Sequence, residues 1–219
     1  MSQFDMFSQQ ANDQANGFAS LEEVIDALMH MKDDPLADAG TNVVISRGNS
    51  EAHLLIIGEA PGPEENIKGK PFVGRAGQML DKVLQSANFD PEKDVYITNS
   101  VFRMPPGMDD KAFRKPTDQE IDYYRPYVFE IIRLIDPRVI LLTGNVACQS
   151  VLRKTGITSL RGKWTQMDQS WVMPIFHPSY LLRNPTRDPG SPKALMWEDI
   201  REVRRKYDEL TATNPLHHS

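Results

Sequence analysis

The sequence has little cysteine, no long apolar run and no excess of positive charge. Its single cysteine, Cys148, excludes an internal disulfide and is typical of a protein from a reducing compartment. No stretch approaches the roughly 20 apolar residues that span a bilayer, and the first residues lack the basic and apolar regions of a signal peptide. We therefore expect a cytoplasmic protein with no membrane partner.

The net charge limits the kinds of partner. A formal charge of −5 argues against a general binder of polyanions. Basic residues nevertheless cluster in a few segments, so we expect a modest basic face on an acidic body. The clustered residues are Lys68, Lys70, Arg75, Arg103, Lys111, Arg114, Lys115, Arg161, Lys163, Arg183, Arg187 and Lys193.

The chain of 219 residues is long enough for one globular domain with a sizeable core. Residues 1–19 are polar and without period, which predicts a flexible tail. Residues 20–212 are assigned to the domain and residues 213–219 to a second tail. A capping box at residues 20–23 predicts a helix that runs to about Met31.

Apolar and helical segments alternate from residue 54 onward. The predicted strands are 54–57, 94–98, 138–143 and 171–176, and the predicted helices are 75–87, 118–135, 145–154 and 194–210. This alternation predicts an α/β fold, a single-domain three-layer α/β/α sandwich around a mainly parallel four-stranded sheet. Open sheets of this kind bind ligands at the carboxyl ends of their strands.

Three motifs lie at or near those strand ends. They are GEAPG at residues 58–62, KPFVGRAG at 70–77 and HPSYLLR at 177–183. Together with YITN at 96–99, they closely resemble the family-4 type of uracil-DNA glycosylase, over about residues 35–210. The resemblance implies a monomeric, monofunctional enzyme that hydrolyses deoxyuridine in uracil-containing DNA and so starts base-excision repair.

The resemblance also implies roles for four residues around the base. His177 matches a histidine that donates to uracil O2, and Asn99 matches an asparagine that reads uracil N3–H and O4. Glu59 is expected to orient water or to stabilise positive charge at C1′, and the N–H of Ala60 to donate to uracil. The alternatives are a core histidine, an asparagine in a strand-end turn and a glutamate on a loop surface.

Two further residues are matched to the base pocket. Phe72 corresponds to the aromatic that stacks on the flipped uracil, although simple core burial is the alternative. Glu65 corresponds to a position that crowds the 5-methyl of thymine, a role that a tyrosine has in other uracil-DNA glycosylases. Gly62 stands where that tyrosine would be.

DNA contacts are expected from two groups of residues. Residues 180–183 resemble a wedge loop that fills the hole left by the flipped nucleotide, or they form the first turn of a buried helix. Phosphate contacts are assigned to residues that follow glycines or open the last helix. The complete set is Tyr180, Leu181, Leu182, Arg183, Lys163, Ser191 and Lys193.

The sequence departs from the family at its metal centre. Relatives hold a [4Fe–4S] cluster with four cysteines, but the matching positions here are Met31, Asp34, Arg103 (or Met104) and Asp122. Without cysteine ligands no cluster can form, so we expect no cofactor and no metal. Ion pairs are expected to replace it, with Arg103 bound to Asp122 or to Asp34.

The loop of residues 102–117 is another departure, since it is longer than in close relatives. Covalent uracil-binding relatives use a histidine in this region, and its absence here argues against stable covalent capture.

The first tail carries QFDMF at residues 3–7, which resembles the peptide that docks bacterial repair proteins on the sliding clamp. An inert tail is the alternative.

Two other functions stay open for the domain. One is a protein that binds uracil or abasic DNA with little turnover, and the other is a glycosylase for another deaminated base such as hypoxanthine.

Overall fold

A computed structural model describes residues 17–31, 33–107 and 113–212. Its strands are β1 (Ser46–Gly48), β2 (Leu54–Gly58), β3 (Val95–Asn99), β4 (Val139–Thr143), β5 (Thr165–Met167) and β6 (Ser170–Ile175). Its α-helices are α1 (Leu21–Met29), α2 (Pro63–Lys68), α3 (Arg75–Ser86), α4 (Asp118–Ile135), α5 (Gly144–Leu152), α6 (Ile157–Leu160), α7 (Pro178–Arg183) and α8 (Pro192–Ala212). A short 3-10 turn covers Ala37–Ala39.

The strands form one mixed sheet of six strands in the order β1-β3-β2-β4-β6-β5. The inner strands β3, β2, β4 and β6 are parallel, and β1 and β5 pair antiparallel at the edges. The prediction of four strands was therefore short by two. Both missed strands have three residues, too few to show the alternation by which a strand is recognised in a sequence.

Both faces of the sheet are covered by helices. On strand β2, Leu55 and Ile57 pack into a core shared with α1, α4 and α5. The alternate residues Leu54 and Ile56 pack into a second core shared with α3 and α8. Parallel strands buried on both faces read as continuous apolar runs, which is why the inner strands were recognisable.

Cys148 lies on α5 in the first of these cores. Its side chain is fully buried, and burial raises the pKa of its thiol to about 12. The thiol is therefore protonated at neutral pH. Within the described residues, no helix is both long and apolar enough to cross a membrane.

A buried ion pair joins two of the positions that the resemblance matches to cluster ligands. The Asp34 carboxylate accepts a hydrogen bond from Arg103 Nε at 2.5 Å and another from the Tyr124 hydroxyl. Arg103 also donates to the carbonyl oxygen of Thr41. Arg103 thus forms one of its two expected pairs, with Asp34, whereas Asp122 pairs with Arg153 on the protein surface. These side chains do not fit a [4Fe–4S] cluster, because none of them is a thiolate.

Candidate active site

The candidate site forms where neighbouring inner strands end. Gly58 and Asn99 are the last residues of β2 and β3 and stand opposite each other in register. His177 follows β6 and begins α7 as its N-cap. Gly144, just after β4, lies against the Cβ of His177, since a side chain on Gly144 would come within 3.1 Å of that atom. Parallel pairing therefore brings three distant motifs together at the carboxyl ends of the inner strands.

The aromatic ring of Phe72 lies over Gly58 and beside Asn99. A Cβ built on Gly58 would lie 2.5 Å from Phe72 Cε2 and would also overlap the Asn99 amide oxygen. The Phe72 and His177 rings are 6.0 Å apart between centroids and tilted by 31°. Glycine at position 58 thus lets the Phe72 ring and the Asn99 amide share one small space.

The amide of Asn99 lies at the end of β3 without a hydrogen bond to another residue that the structure describes. Asn99 is only 2% exposed, and its side chain makes no hydrogen bond to any residue that the structure describes. Buried amides in folded proteins are nearly always hydrogen-bonded, because leaving one unpaired costs about 1–3 kcal/mol. An unpaired amide at a strand end is therefore suited to a ligand that completes its hydrogen bonds.

His177 is held as a neutral ring. Its Nδ1 accepts a hydrogen bond from the Ser179 backbone N–H at 3.2 Å and lies 2.8 Å from the Ser179 hydroxyl. Burial, together with the positive charges of Arg183 and Lys115, lowers the pKa of His177 to about 4. Since Nδ1 accepts, the proton of the neutral ring is on Nε2, which is then a hydrogen-bond donor.

Glu59 follows β2 and is half-buried. Burial raises the pKa of its carboxyl above the ordinary value, and the charges of Lys115 and Arg183 partly oppose this. The Glu59 carbonyl oxygen accepts from Val101 N–H at 3.1 Å, which fixes the start of the loop. The next N–H, that of Ala60, has no acceptor in the described part of the chain. It is therefore available to a ligand, and its expected bond to uracil stays a prediction.

Glu65 joins the two loops that border the site. One oxygen accepts the N–H groups of Val73 and Gly74 at 2.9 and 2.7 Å, and the other accepts the N–H of Gly62 at 3.2 Å. The geometry therefore assigns Glu65 to fixing the backbone of the Phe72 loop. Its suggested contact with the methyl group of thymine stays a prediction.

The expected wedge is helical. Residues 178–183 form α7, in which Tyr180 and Arg183 are exposed and Leu182 is half-buried. Leu181 is only 1% exposed and belongs to the core beneath the sheet. Of the two alternatives that the sequence left open, a wedge loop and the first turn of a buried helix, the structure has the helix. Leu181 cannot enter DNA without leaving that core, because its side chain is already buried.

The three expected phosphate-binding residues differ in their surroundings. Lys163 is exposed after Gly162. The Ser191 hydroxyl donates to the carbonyl oxygen of Thr186, and the Lys193 ammonium donates to that of Pro185. Ser191 and Lys193 thus brace the loop before α8. Of the basic residues named from the sequence, Lys111 lies outside the described residues.

One positively charged residue near the pocket was not among the predicted site residues. Lys115, from the basic loop before α4, affects the pKa values of both Glu59 and His177. Its position next to Arg114 in a long basic loop was the available sequence signal. The signal did not indicate where the loop would fold, so Lys115 could not be assigned to the pocket.

Comparison with known proteins gives consistent matches. The sequence model of the uracil DNA glycosylase superfamily matches residues 45–201. A type-4 uracil-DNA glycosylase of Thermotoga maritima is 37% identical over 175 residues, which cover 78% of this chain and 85% of the relative. The type-4 enzyme of Archaeoglobus fulgidus is 34% identical over 176 residues, covering 76% and 85%. A type-5 uracil-DNA glycosylase of Pyrobaculum aerophilum is 27% identical over 176 residues, covering 73% and 72%.

Proposed function

Because the chain belongs to the uracil-DNA glycosylase superfamily, we propose that it hydrolyses the bond between uracil and deoxyribose in DNA. The observation that carries this proposal is the side chain of Asn99, a residue only 2% exposed, whose amide lies beside the Phe72 ring and makes no hydrogen bond to another residue that the structure describes. An amide has both the acceptor for uracil N3–H and the donors for uracil O4. The reversed edge of cytosine would leave these groups mismatched in a buried site.

We propose that the flipped uracil stacks on Phe72 and is read by Asn99. The neutral ring of His177 donates from Nε2 to uracil O2, where negative charge grows as the C1′–N1 bond breaks. The N–H of Ala60 is a second donor to the same anion. A neutral donor suits this task, because it stabilises the leaving uracil without transferring its own proton.

Glu59 serves the sugar side of the reaction in this proposal. The C1′–N1 bond breaks with both electrons going to uracil, and the oxygen of a water forms the new bond at C1′. The Glu59 carboxylate stabilises the electron-poor sugar and takes the proton that the water loses. Uracil takes its proton from solvent. The products are free uracil and an abasic site.

The enzyme's partner is then uracil-containing DNA. Arg183 and Lys115 put positive charge beside the pocket, which favours the approach of a phosphate backbone. Tyr180, Leu182 and Arg183 on α7 are assigned to the hole left by the flipped nucleotide, and Lys163 to a neighbouring phosphate. We further propose that the protein acts as a monomer in the bacterial cytoplasm and nucleoid.

A single-turnover assay tests the function. Purified protein is incubated with end-labelled duplexes that carry uracil, hypoxanthine or a thymine mismatch, and abasic sites are then cleaved with alkali. We expect cleavage at uracil. Cleavage at hypoxanthine alone would assign the pocket to another deaminated base, and binding to uracil-containing DNA without cleavage would favour a binding protein.

Two substitutions connect that activity to the pocket. His177→Ala and Asn99→Ala should each slow uracil excision by about a hundredfold or more, the scale for removing a preorganised donor near a developing anion. Gln149→Ala is a control, because Gln149 lies on α5 and bonds Asp118 on the surface. Excision by His177→Ala at the native rate would assign the chemistry to other residues.

A further inference from the structure

The backbone of Phe72 is in a conformation that needs support. Its φ of 53° lies in the left-handed region, which residues with a Cβ rarely adopt. The same residue is only 6% exposed and carries the ring that borders Gly58 and Asn99. Unfavourable backbone conformations persist where neighbouring groups hold them, so the groups around this loop determine where the ring lies.

Arg47 contacts the loop from the edge strand β1. Its Nε donates to the carbonyl oxygen of Pro71 at 3.1 Å, and Nη2 lies 3.4 Å from that of Phe72. The side chain of Arg47 is only 7% exposed, although it belongs to the outermost strand of the sheet. An arginine at a sheet edge would ordinarily extend into solvent, whereas this one turns onto the loop.

Two carboxylates fix the orientation of the Arg47 guanidinium. Asp81 on α3 accepts from Nη2 at 2.5 Å, and Glu92 accepts from Nη1 at 2.8 Å. The planar guanidinium thus makes hydrogen bonds in several directions at once, which a lysine ammonium on a flexible stem cannot reproduce. Asp81 is the less exposed of the two acceptors and is therefore the stronger anchor.

We propose that Arg47 is a positioning residue for uracil recognition, anchored by Asp81 and acting through Phe72. It holds the carbonyls of residues 71 and 72 so that the Phe72 ring is in place before the base arrives. Glu65 holds the N–H groups on the other side of the same loop. The inference rests on the proposed function, because it takes the Phe72 ring as the surface on which uracil stacks.

A double-mutant cycle tests the proposal with the full chain. Arg47→Lys should lower kcat/KM for uracil excision by between about tenfold and a hundredfold, the scale for a misplaced binding group. Phe72→Ala should lower it at least as much. If Arg47 acts through the Phe72 ring, the variant with both changes should have the same kcat/KM as Phe72→Ala alone, since both substitutions remove the contribution of that ring. Fully additive effects would overturn the proposal.

Two further variants control for general loss of structure. Arg205→Lys changes an exposed arginine that pairs with Glu202 and Glu209 on α8, and it should leave kcat/KM unchanged. Asp81→Asn keeps Arg47 but weakens its anchor. Its kcat/KM for uracil excision should therefore lie between that of the native protein and that of Arg47→Lys. This variant also decides the question if Arg47→Lys does not fold. A native kcat/KM for Asp81→Asn would then contradict the anchored arrangement.

A second measurement separates failure of the proposed function from failure of the positioning role of Arg47. If the native protein does not excise uracil, the same cycle is measured as the Kd for uracil-containing duplexes by fluorescence anisotropy. Non-additive losses of affinity would support the positioning role in a binding protein. Additive losses, or a native Kd for Arg47→Lys, would refute it.

Discussion

At the residue scale, burial favours the uncharged forms of the two titratable groups in the pocket. It lowers the pKa of His177 to about 4 and raises that of Glu59 above its ordinary value of 4.5. His177 therefore stays neutral well below pH 6.5, whereas Glu59 takes up a proton at a higher pH than an exposed glutamate would. As the pH falls, Glu59 is protonated before His177.

The predicted pH profile follows from this order. The single-turnover rate should be level near neutral pH and should fall as Glu59 is protonated, with a midpoint above pH 4.5. Glu59→Gln should be slow at every pH and should lose this acid limb. Rates measured between about pH 4 and pH 8 test the prediction. An unchanged limb in Glu59→Gln would assign it to a different group.

Single residues of the site were predictable to different degrees. Glu59, Asn99 and His177 follow apolar strands, and the rule that parallel strands end at one edge was enough to bring them together. The hydrogen bonds of Glu65 to three backbone N–H groups were not predictable, because every residue except proline has such a group and the sequence does not indicate which ones lie near Glu65. For Leu181 the sequence left two alternatives, a wedge loop and a buried helix, and only the packing of α7 decides between them.

At the scale of elements, α3 and the Phe72 loop are in unusually close contact. A Cβ on Gly77 would overlap the backbone carbonyl of Phe72. Gly77→Ala should therefore displace the loop and lower the free energy of unfolding by about 2 kcal/mol, within the range for overpacked sites. Excision should fall as well, because the displaced loop carries the ring.

Urea unfolding and single-turnover excision together test this prediction. Gln78→Ala is the matched control, since Gln78 is exposed on the same helix. It should leave both measurements unchanged. If Gly77→Ala had the stability and activity of the native protein, the Phe72 loop would accommodate the added methyl group without loss of stability.

A second prediction at this scale concerns the ion pair that links three segments. Asp34 is almost fully buried and binds both Arg103 and Tyr124 of α4. Asp34→Asn leaves the Arg103 charge without a counterion, so it should lower the free energy of unfolding by about 3 kcal/mol or more. Thermal and urea unfolding measure this loss.

The surface pair formed by Asp122 and Arg153 is the control for that experiment. Both side chains are substantially exposed, so Asp122→Asn should cost less than about 1 kcal/mol. If Asp34→Asn and Asp122→Asn lowered the free energy of unfolding equally, the buried pair would stabilise the fold no more than an ordinary surface pair.

The long elements were predictable and the short ones were not. Predicted boundaries of the inner strands and of α3 and α4 agree with the structure to within one residue, because their apolar patterns are long. Strand β1, Ser46–Gly48, has no apolar pattern at all. It is defined by its pairing with β3, which only the folded chain provides. Arg47, on that strand, was therefore not recognisable as a neighbour of the pocket.

At the scale of the whole molecule, we expect the first residues of the chain to be separable from the chemistry. The peptide at residues 3–7 lies outside the described residues, and it precedes every motif of the pocket. If it docks on a sliding clamp, Met6 and Phe7 should fill an apolar pocket, and the entropy lost when the peptide is ordered should limit the Kd to about micromolar.

Titration of a labelled peptide of residues 1–12 with a bacterial clamp measures this affinity. Deleting residues 1–10 should abolish clamp binding and leave excision from short oligonucleotides unchanged. A peptide with Met6→Ala and Phe7→Ala is the control. An inert tail would be favoured if the substituted peptide bound as well as the native peptide, or if the native peptide did not bind at tens of micromolar.

The single cysteine also makes the molecule convenient for spectroscopy. Thiol-reactive dyes attack the thiolate, and the Cys148 thiol is buried with a pKa of about 12, so the native chain should take up almost no label. A cysteine introduced at Tyr180, which is 39% exposed, would then be the one reactive position. A fluorophore there would report the arrival of DNA at α7 in real time, without any prior removal of native thiols.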